Sequence, residues 1–217
     1  MTNPNNMPLS LLLVGATGAV GRQVLALALA DPRIEQVIAP TRRPLPNHAK
    51  LYNPVIDFAH LPVDAPWWKV DAVICTLGTT IKAAGSQAAF AAVDRDLPIQ
   101  VATLARAVGA TRFALNSSLG ANPAGNFYLR TKAEAEAGIR NINYPSLTIV
   151  RPSLIDAVRK ESRPGEKIGL IVARTFRPLI PLRYRAVKAE RIALALLAGV
   201  LRDQSGECII ESEQLQD

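Results

Sequence analysis

Cysteine and histidine are scarce in this sequence, and their scarcity excludes two classes of site. The 217 residues contain two cysteines, Cys75 and Cys208, too few for a framework of disulfides. Both lie in apolar runs, so we expect buried free thiols and a reducing compartment. The two histidines, His48 and His60, lie in a proline-rich stretch with no second ligand at metal spacing. The sequence therefore predicts no metal site.

Long apolar runs are also missing. The apolar run Leu9–Val14 ends at Gly15, and the later run from Ile192 to Leu201 is also short. Both are far shorter than the roughly 20 residues of a membrane-spanning helix. The first eight residues are polar and lack the basic start of a secretory signal. We therefore expect no membrane span and a cytoplasmic location.

What is present is the composition of a globular protein. Hydrophobic residues make up 49% and charged residues 20% of the chain. The length suits one domain with a sizeable core. We therefore expect a single domain over residues 1–217, with residues 1–8 as a flexible tail.

Short apolar runs alternate with helical stretches along most of the chain. Such alternation predicts an α/β fold of the Rossmann type, with a single, doubly wound parallel sheet. After Pro152 the alternation stops. We expect residues 153–185 to form a small carboxyl-terminal substrate region that covers the site. The predicted strands are Leu9–Val14, Gln36–Ala39, Leu51–Tyr52 with Val55–Phe58, Asp71–Leu77, Arg112–Asn116, Ser146–Val150 and Cys208–Glu211; the predicted helices are Val20–Ala30, Gln87–Ala107, Tyr128–Arg140 and Ala186–Leu201.

Three glycines stand between the first predicted strand and the first helix. Gly15, Gly18 and Gly21 form the pattern G-x-x-G-x-x-G. In this position the first allows a tight turn, the second lets the backbone approach a pyrophosphate, and the third lets the helix pack against the strand. The helix N-terminus then offers free N–H groups to phosphates. The pattern predicts a dinucleotide-binding loop.

The residues after the second predicted strand favour NADP over NAD. NAD-binding proteins usually carry an acidic residue here, which binds the ribose 2′-hydroxyl. This chain has Arg42 and Arg43 instead, and guanidinium groups suit a 2′-phosphate. The alternative is that both are ordinary surface arginines.

A tyrosine and a lysine four residues apart predict acid–base chemistry. Tyr128 and Lys132 lie on one face of a predicted helix. A free phenol has a pKa of about 10, and a neighbouring ammonium lowers the pKa of a phenol toward neutrality. The alternative is a surface pair of a helix.

These motifs together resemble the short-chain dehydrogenase/reductase superfamily. The matching segments are GATGAVG, the strand ending in Leu77-Gly78, Ser117-Ser118 and YLRTK. The chain is more similar to an atypical branch, the Tat-interacting-protein-like oxidoreductases. The segments CTLGTT, VDRD, IVRPSLI and ESRPGE carry that likeness, which runs over almost the whole chain.

The resemblance implies an NADP-binding fold and a role for each matching residue. Tyr128 would be the proton donor or acceptor, Lys132 would bind the nicotinamide ribose, and Ser118, or alternatively Ser117, would hydrogen-bond a substrate carbonyl. Ser118 precedes Tyr128 by ten residues, fewer than is usual in the superfamily. The implied cofactor contacts are Gly15, Thr17, Gly18, Ala19, Val20, Gly21, Arg42, Arg43, Asp57, Leu77, Gly78, Tyr128, Lys132, Ile155 and Arg163.

Two functions remain open at this point. One is an NADPH-dependent reductase of a small carbonyl or anionic substrate; the other is an NADPH-binding regulatory protein with little turnover. The net charge is +7, and the segment Arg159–Lys188 alone carries nine basic and two acidic residues. We expect this segment to form a basic rim over the nicotinamide end of the cleft and not to bind nucleic acid, because prolines and apolar residues interrupt it. A homo-oligomer is possible.

Two other features have ordinary interpretations. Asp94 and Asp96 flank Arg95, and we expect them to form local charge pairs. Trp67-Trp68 follows a proline, and we expect both rings to pack in the core.

Overall fold

A seven-stranded sheet organises the part of the chain that the structure describes. The computed structural model describes residues 8–156, 180–202 and 204–216. The strand order is β3-β2-β1-β4-β5-β6-β9, and every pairing is parallel. The predicted doubly wound Rossmann-type sheet is confirmed. The strands are β1 Leu9–Val14, β2 Ile34–Ile38, β3 Leu51–Tyr52, β4 Ala72–Cys75, β5 Arg112–Asn116, β6 Ser146–Arg151 and β9 Gly206–Glu211, and a separate pair consists of β7 Ile155–Asp156 and β8 Val187–Lys188.

Helices cover both faces of this sheet. They are α1 Ala19–Ala30, α2 Ile81–Ala84, α3 Gln87–Ala91, α4 Leu97–Ala107, α5 Phe127–Arg140 and α6 Ala189–Leu201. Short 3₁₀ turns lie at Pro66–Trp68, Leu182–Tyr184 and Ser212–Leu215. No helix among the described residues has the length and apolarity to cross a membrane.

The strands are apolar on both sides because both sides are covered. In β1, Leu11 and Leu13 pack with α1 and α6, whereas Leu12 and Val14 pack with α4 and α5. Trp68 joins the second of these cores, with its indole N–H donated to the carbonyl of Pro62. The predicted packing role of the tryptophan pair is therefore confirmed.

One predicted helix is divided in three. Residues 87–107 form α3, a π-helical turn over Ala92–Asp96, and α4. The division has a covalent cause, because Pro98 has no N–H to donate to the carbonyl of the residue four positions earlier. A widened turn is one way for a helix to absorb that missing bond.

Other boundaries differ for local reasons. The predicted strand over Val55–Phe58 is wrong: Val55 only forms an isolated bridge with Thr41. The last predicted helix begins at Ala189 and not at Ala186, because Val187–Lys188 pairs with Ile155–Asp156 as β8. Cys75 is buried as predicted, whereas Cys208 is only partly buried on β9.

The strand order places a crevice at the centre of the sheet. The chain proceeds outward from β1 to β2 and β3, then returns to the other side of β1 with β4. In parallel sheets a ligand crevice opens beyond the carboxyl ends of the strands at such a reversal. The loops after β1 and β4 therefore line the candidate site.

Candidate functional site

A cleft lies at the carboxyl ends of β1, β4, β5 and β6. Its volume is about 640 Å³. The residues that line it come from the glycine loop, the loop after β4, the π-helical turn, α5 and the segment after β6. They are Gly18, Ala19, Val20, Thr76, Leu77, Gly78, Thr79, Thr80, Ala83, Asp94, Asn116, Ser117, Ser118, Tyr128, Lys132, Pro152, Ser153, Leu154 and Ile155.

The glycine loop is closely packed at two of its three glycines. Gly15 has φ +89°, which side chains disfavour, and a Cβ there would lie 2.7 Å from Thr76. A Cβ on Gly21 would lie 2.0 Å from the carbonyl oxygen of Gly15, so only glycine lets α1 start this close to β1. These contacts confirm the turn and the close helix–strand packing that the pattern predicts.

The start of α1 has the features of an anion site. Gly18 is the N-cap, and no side chain in the part of the chain that the structure describes caps the first turn. The free N–H groups of that turn carry the positive end of the helix dipole. Gly18, Ala19 and Val20 line the cleft at this point. The loop therefore fits the pyrophosphate of a dinucleotide.

The arginine pair lies in the loop that follows β2, outside the lining of the cleft. Arg42 and Arg43 are exposed in the loop after β2, next to β1 in the sheet, and are not among the residues that line the cleft. Among the described residues neither guanidinium is paired with a carboxylate. Thr17 is exposed at the tip of the glycine loop. These positions suit the phosphates at the adenosine end.

Asp57 is not among the residues that line the cleft. It is exposed, accepts the Ala59 N–H, and contacts His60 Nδ1 at 2.8 Å. The Ala59 N–H, followed by His60, lowers the pKa of the Asp57 carboxyl below its usual value. The structure shows no contact of Asp57 that marks an adenine site.

The tyrosine and lysine of α5 lie together in the cleft. Both Tyr128 and Lys132 line it, and Lys132 Nζ is 6.0 Å from the centre of the Tyr128 ring. Phe90 packs against the Tyr128 ring from α3, with centroids 5.6 Å apart. The aromatic contact fixes the position of the phenol beside a buried ammonium.

Asp94 is the functional residue that the sequence analysis misassigned. Its side chain is 1% exposed, and its Oδ1 lies 2.6 Å from Lys132 Nζ, whose side chain is 8% exposed. Its Oδ2 accepts the N–H of Thr79 at 2.8 Å. The expected local pairing is therefore wrong for Asp94, although Asp96 does pair with Arg95.

The pairing of Asp94 could not be read from spacing. Asp94 and Lys132 are 38 positions apart and lie on different helices, and the π-helical turn turns Asp94 inward. The available signal was the segment VDRD, which the family resemblance singled out without giving it a role.

The two serines after β5 have different partners. Ser117 is buried and donates its hydroxyl to Glu136 Oε1 at 2.6 Å. Ser118 is partly exposed in the cleft, and among the described residues its hydroxyl has only a long contact, 3.5 Å, with the carbonyl of Leu119. Ser118 is thus the serine whose hydroxyl is free to meet a ligand.

Glu136 ties the strand ends beneath the cleft together. It is 1% exposed and accepts Arg151 Nε at 2.9 Å, besides the Ser117 hydroxyl. Arg151 also binds Glu211 at the end of β9, at 2.9 Å. These carboxylates, Glu136 first, raise the pKa of Arg151 above its usual value, so the guanidinium stays charged. It fixes α5 to β5, β6 and β9.

Two buried groups at the carboxyl ends of the central strands are an inert thiol on β4, which does not line the cleft, and an unpaired amide oxygen on β5, which does. Burial raises the pKa of Cys75 to about 12, so this thiol is not a nucleophile. Asn116 Oδ1, at the end of β5, is buried without a hydrogen-bond donor among the described residues. No cluster of metal-ligating side chains occurs within residues 8–156, 180–202 and 204–216.

The far wall of the cleft is only partly described. Ile155 lines it, and Leu154 is 71% exposed beside it. The Ser153 hydroxyl is donated to the carbonyl of Arg185, which joins this wall to the segment before β8. Arg163 and the larger part of Arg159–Lys188 lie outside the described residues.

Comparison with known proteins gives a family for most of the chain. The family described as NAD(P)H-binding matches residues 15–169. Protein HTATIP2 of Rattus norvegicus is 34% identical over 207 residues, covering 91% of this chain and 84% of that protein. Protein fmp52, mitochondrial, of Emericella nidulans is 33% identical over 171 residues, covering 74% of this chain and 73% of that protein.

Solved structures agree on the fold. MoeE5 in complex with UDP-glucuronic acid and NAD superposes with a TM-score of 0.71 at 17% identity, over 94% of this chain and 76% of that one. WbmG of Bordetella bronchiseptica in complex with NAD superposes with a TM-score of 0.68 at 15% identity, over 97% of this chain and 74% of that one. At these identities the likeness supports the Rossmann-type fold and nothing finer.

Proposed function

Because the chain belongs to the NAD(P)H-binding family, in the atypical short-chain dehydrogenase/reductase-like branch of the HTATIP2 and fmp52 relatives, we propose that it is an NADPH-dependent oxidoreductase. Its substrate is a small carbonyl compound. One observation carries the proposal: a single cleft joins the glycine loop to Ser118, Tyr128 and Lys132.

The arginine pair supports NADP as the cofactor. Arg42 and Arg43 follow β2, where an NAD-binding protein usually has a carboxylate. Each charge-assisted hydrogen bond to a 2′-phosphate contributes about 1.5–3 kcal/mol. We therefore expect NADPH to bind at least about tenfold more tightly than NADH.

Three side chains would perform the acid–base step. NADPH, when bound, supplies the hydride. Ser118 donates a hydrogen bond to the carbonyl oxygen of the substrate, and Tyr128 donates the proton that this oxygen gains. The Lys132 ammonium, 6.0 Å from the Tyr128 ring, stabilises the phenolate that remains.

The test separates binding from chemistry. The Kd values of NADPH and NADH are measured by titration, and NADPH oxidation is followed with a panel of aldehydes, ketones and quinones. Tyr128→Phe should lose turnover and keep NADPH affinity. Tyr52→Phe, an exposed tyrosine on β3, should keep both and serves as the matched control. Equal affinity for the two cofactors would contradict the choice of NADP.

The second function, a regulatory protein that binds NADPH without turnover, is the outcome if the parent chain binds NADPH and oxidises none. The ten-residue spacing of Ser118 and Tyr128 favours this reading. The cytoplasmic location stays a prediction, since the fmp52 relatives are named mitochondrial. The absence of nucleic-acid binding, the single domain over 1–217 and a homo-oligomer also stay predictions.

A further inference from the structure

A chain of hydrogen bonds runs through the loop that carries the arginine pair. Asn53, just after β3, donates its Nδ2 to the carbonyl of Ala39 at 2.5 Å and to Thr41 Oγ1 at 2.8 Å. The Thr41 hydroxyl in turn donates to the carbonyl of Arg43 at 2.6 Å. Asn53 Oδ1 accepts the N–H of Leu45 at 2.7 Å. The Asn53 side chain therefore binds the loop at three positions, Ala39, Thr41 and Leu45.

The backbone reinforces the same arrangement. Thr41 is buried, its N–H is donated to the carbonyl of Pro54, and its carbonyl accepts the N–H of Ile56. The loop between β2 and β3 also contains prolines at positions 40, 44 and 46, which restrict the backbone. Arg42 and Arg43 are exposed between the buried Thr41 and the half-buried Leu45, as is Pro44 beside them.

This geometry presents two cations that have no carboxylate partner within residues 8–156, 180–202 and 204–216. Holding two guanidinium groups near one anion is costly unless the backbone beneath them is already ordered. Asn53 supplies that order from a different strand and is not exposed itself. Its amide makes three hydrogen bonds with both donor and acceptor atoms, a set that neither alanine nor aspartate reproduces.

We propose that Asn53, acting through Thr41, is the residue that positions Arg42 and Arg43 and so determines the preference for a 2′-phosphorylated cofactor. The inference rests on the proposed function, because it requires the arginine pair to bind the 2′-phosphate. Asn53 itself does not touch the cofactor. Its loss weakens the recognition of the one group by which NADPH and NADH differ.

The experiment measures a ratio of affinities. Asn53→Ala should lower the ratio of NADPH to NADH affinity about three- to tenfold, chiefly by weakening NADPH. The same ratio is measured with the fragments adenosine 2′,5′-bisphosphate and adenosine 5′-monophosphate, which lack the nicotinamide. The fragment ratio should fall by the same factor, which locates the effect at the adenosine end.

Two further variants make the result decisive. Asn47→Ala removes an exposed asparagine from the same loop and should leave both ratios unchanged. Thr41→Val removes only the hydroxyl, so it tests the same chain of hydrogen bonds if Asn53→Ala fails to fold. The combined variant should lose less than the sum of the two, because both act on one chain.

The outcomes separate this inference from the proposed function. If the parent chain prefers NADPH and Asn53→Ala weakens both cofactors equally, Asn53 is only structural and the inference is wrong. The same holds if Thr41→Val keeps the parent ratio. If the parent chain itself shows no preference, the proposed choice of NADP fails, and the inference fails with it.

Discussion

At the scale of single residues, the buried pair of Asp94 and Lys132 is the strongest local constraint in the cleft. The two charged atoms are 2.6 Å apart with almost no exposure to water. A buried pair of this kind contributes little net stability, yet removing one partner leaves the other charge without compensation. Asp94 also accepts the Thr79 N–H, so it joins α5 to the loop after β4.

This pair gives the first residue-scale prediction. Asp94→Asn should lower the free energy of unfolding by about 3–5 kcal/mol, because it leaves the Lys132 ammonium buried and unpaired. Asp96→Asn, which affects an exposed pair with Arg95, should change it by less than about 1 kcal/mol. Urea denaturation measures both. The double variant Asp94→Asn with Lys132→Met should recover part of the loss, and a loss that persists in full would show that charge is not the cause.

Some residues of the site can be predicted from local sequence spacing, and others cannot. Gly15, Gly21, Tyr128 and Lys132 follow fixed spacings within one loop or one helix, so local geometry makes them predictable. Asp94 meets its partner across two helices, and no local spacing encodes that contact.

At the scale of elements, the start of α1 separates packing from cofactor binding. Gly21 is in contact with the Gly15 carbonyl, whereas a Cβ on Gly18 would lie 3.3 Å from that oxygen. Gly18 has φ −72°, which alanine also adopts. The two glycines of one loop should therefore fail in different ways.

The element-scale prediction compares the two alanine substitutions. Gly21→Ala should lower the free energy of unfolding by at least about 2 kcal/mol, because the helix must move off the strand. Gly18→Ala should cost less than about 1 kcal/mol but weaken NADPH binding, because its methyl group stands where the pyrophosphate approaches. Denaturation and cofactor titration check the two effects. Equal losses of stability would contradict the separation of packing from binding, and an unchanged NADPH affinity of Gly18→Ala would contradict the assignment of Gly18 to the phosphates.

The order of strands and helices was predictable because each strand is an apolar run bounded by turn residues. β1 and β5 coincide with their predicted bounds. The division of residues 87–107 was not predictable, since a composition rich in alanine predicts one continuous helix. Pro98 explains a break near this point, but the inward contact of Asp94 with Lys132 joins two helices and has no signal in the local sequence.

At the scale of the whole molecule, the cleft joins the two halves of the sheet. Its lining comes from the glycine loop and the start of α1 on one side of the reversal in strand order, and from the end of β5, α5 and the segment after β6 on the other. A ligand that spans it therefore contacts elements that only meet in the folded state. Such a ligand stabilises the fold by mass action.

The last prediction uses this coupling. NADPH at about one hundred times its Kd should stabilise the protein by about 2.7 kcal/mol. For a chain of this size that corresponds to a rise in Tm of roughly 5–10 °C. NADH at the same concentration should raise the Tm less, because it lacks the phosphate that Arg42 and Arg43 would bind. Differential scanning fluorimetry measures both, with Tyr52→Phe as a control that should behave as the parent. Equal rises with the two cofactors would contradict the role of the arginine pair, and no rise at any NADPH concentration would contradict cofactor binding itself.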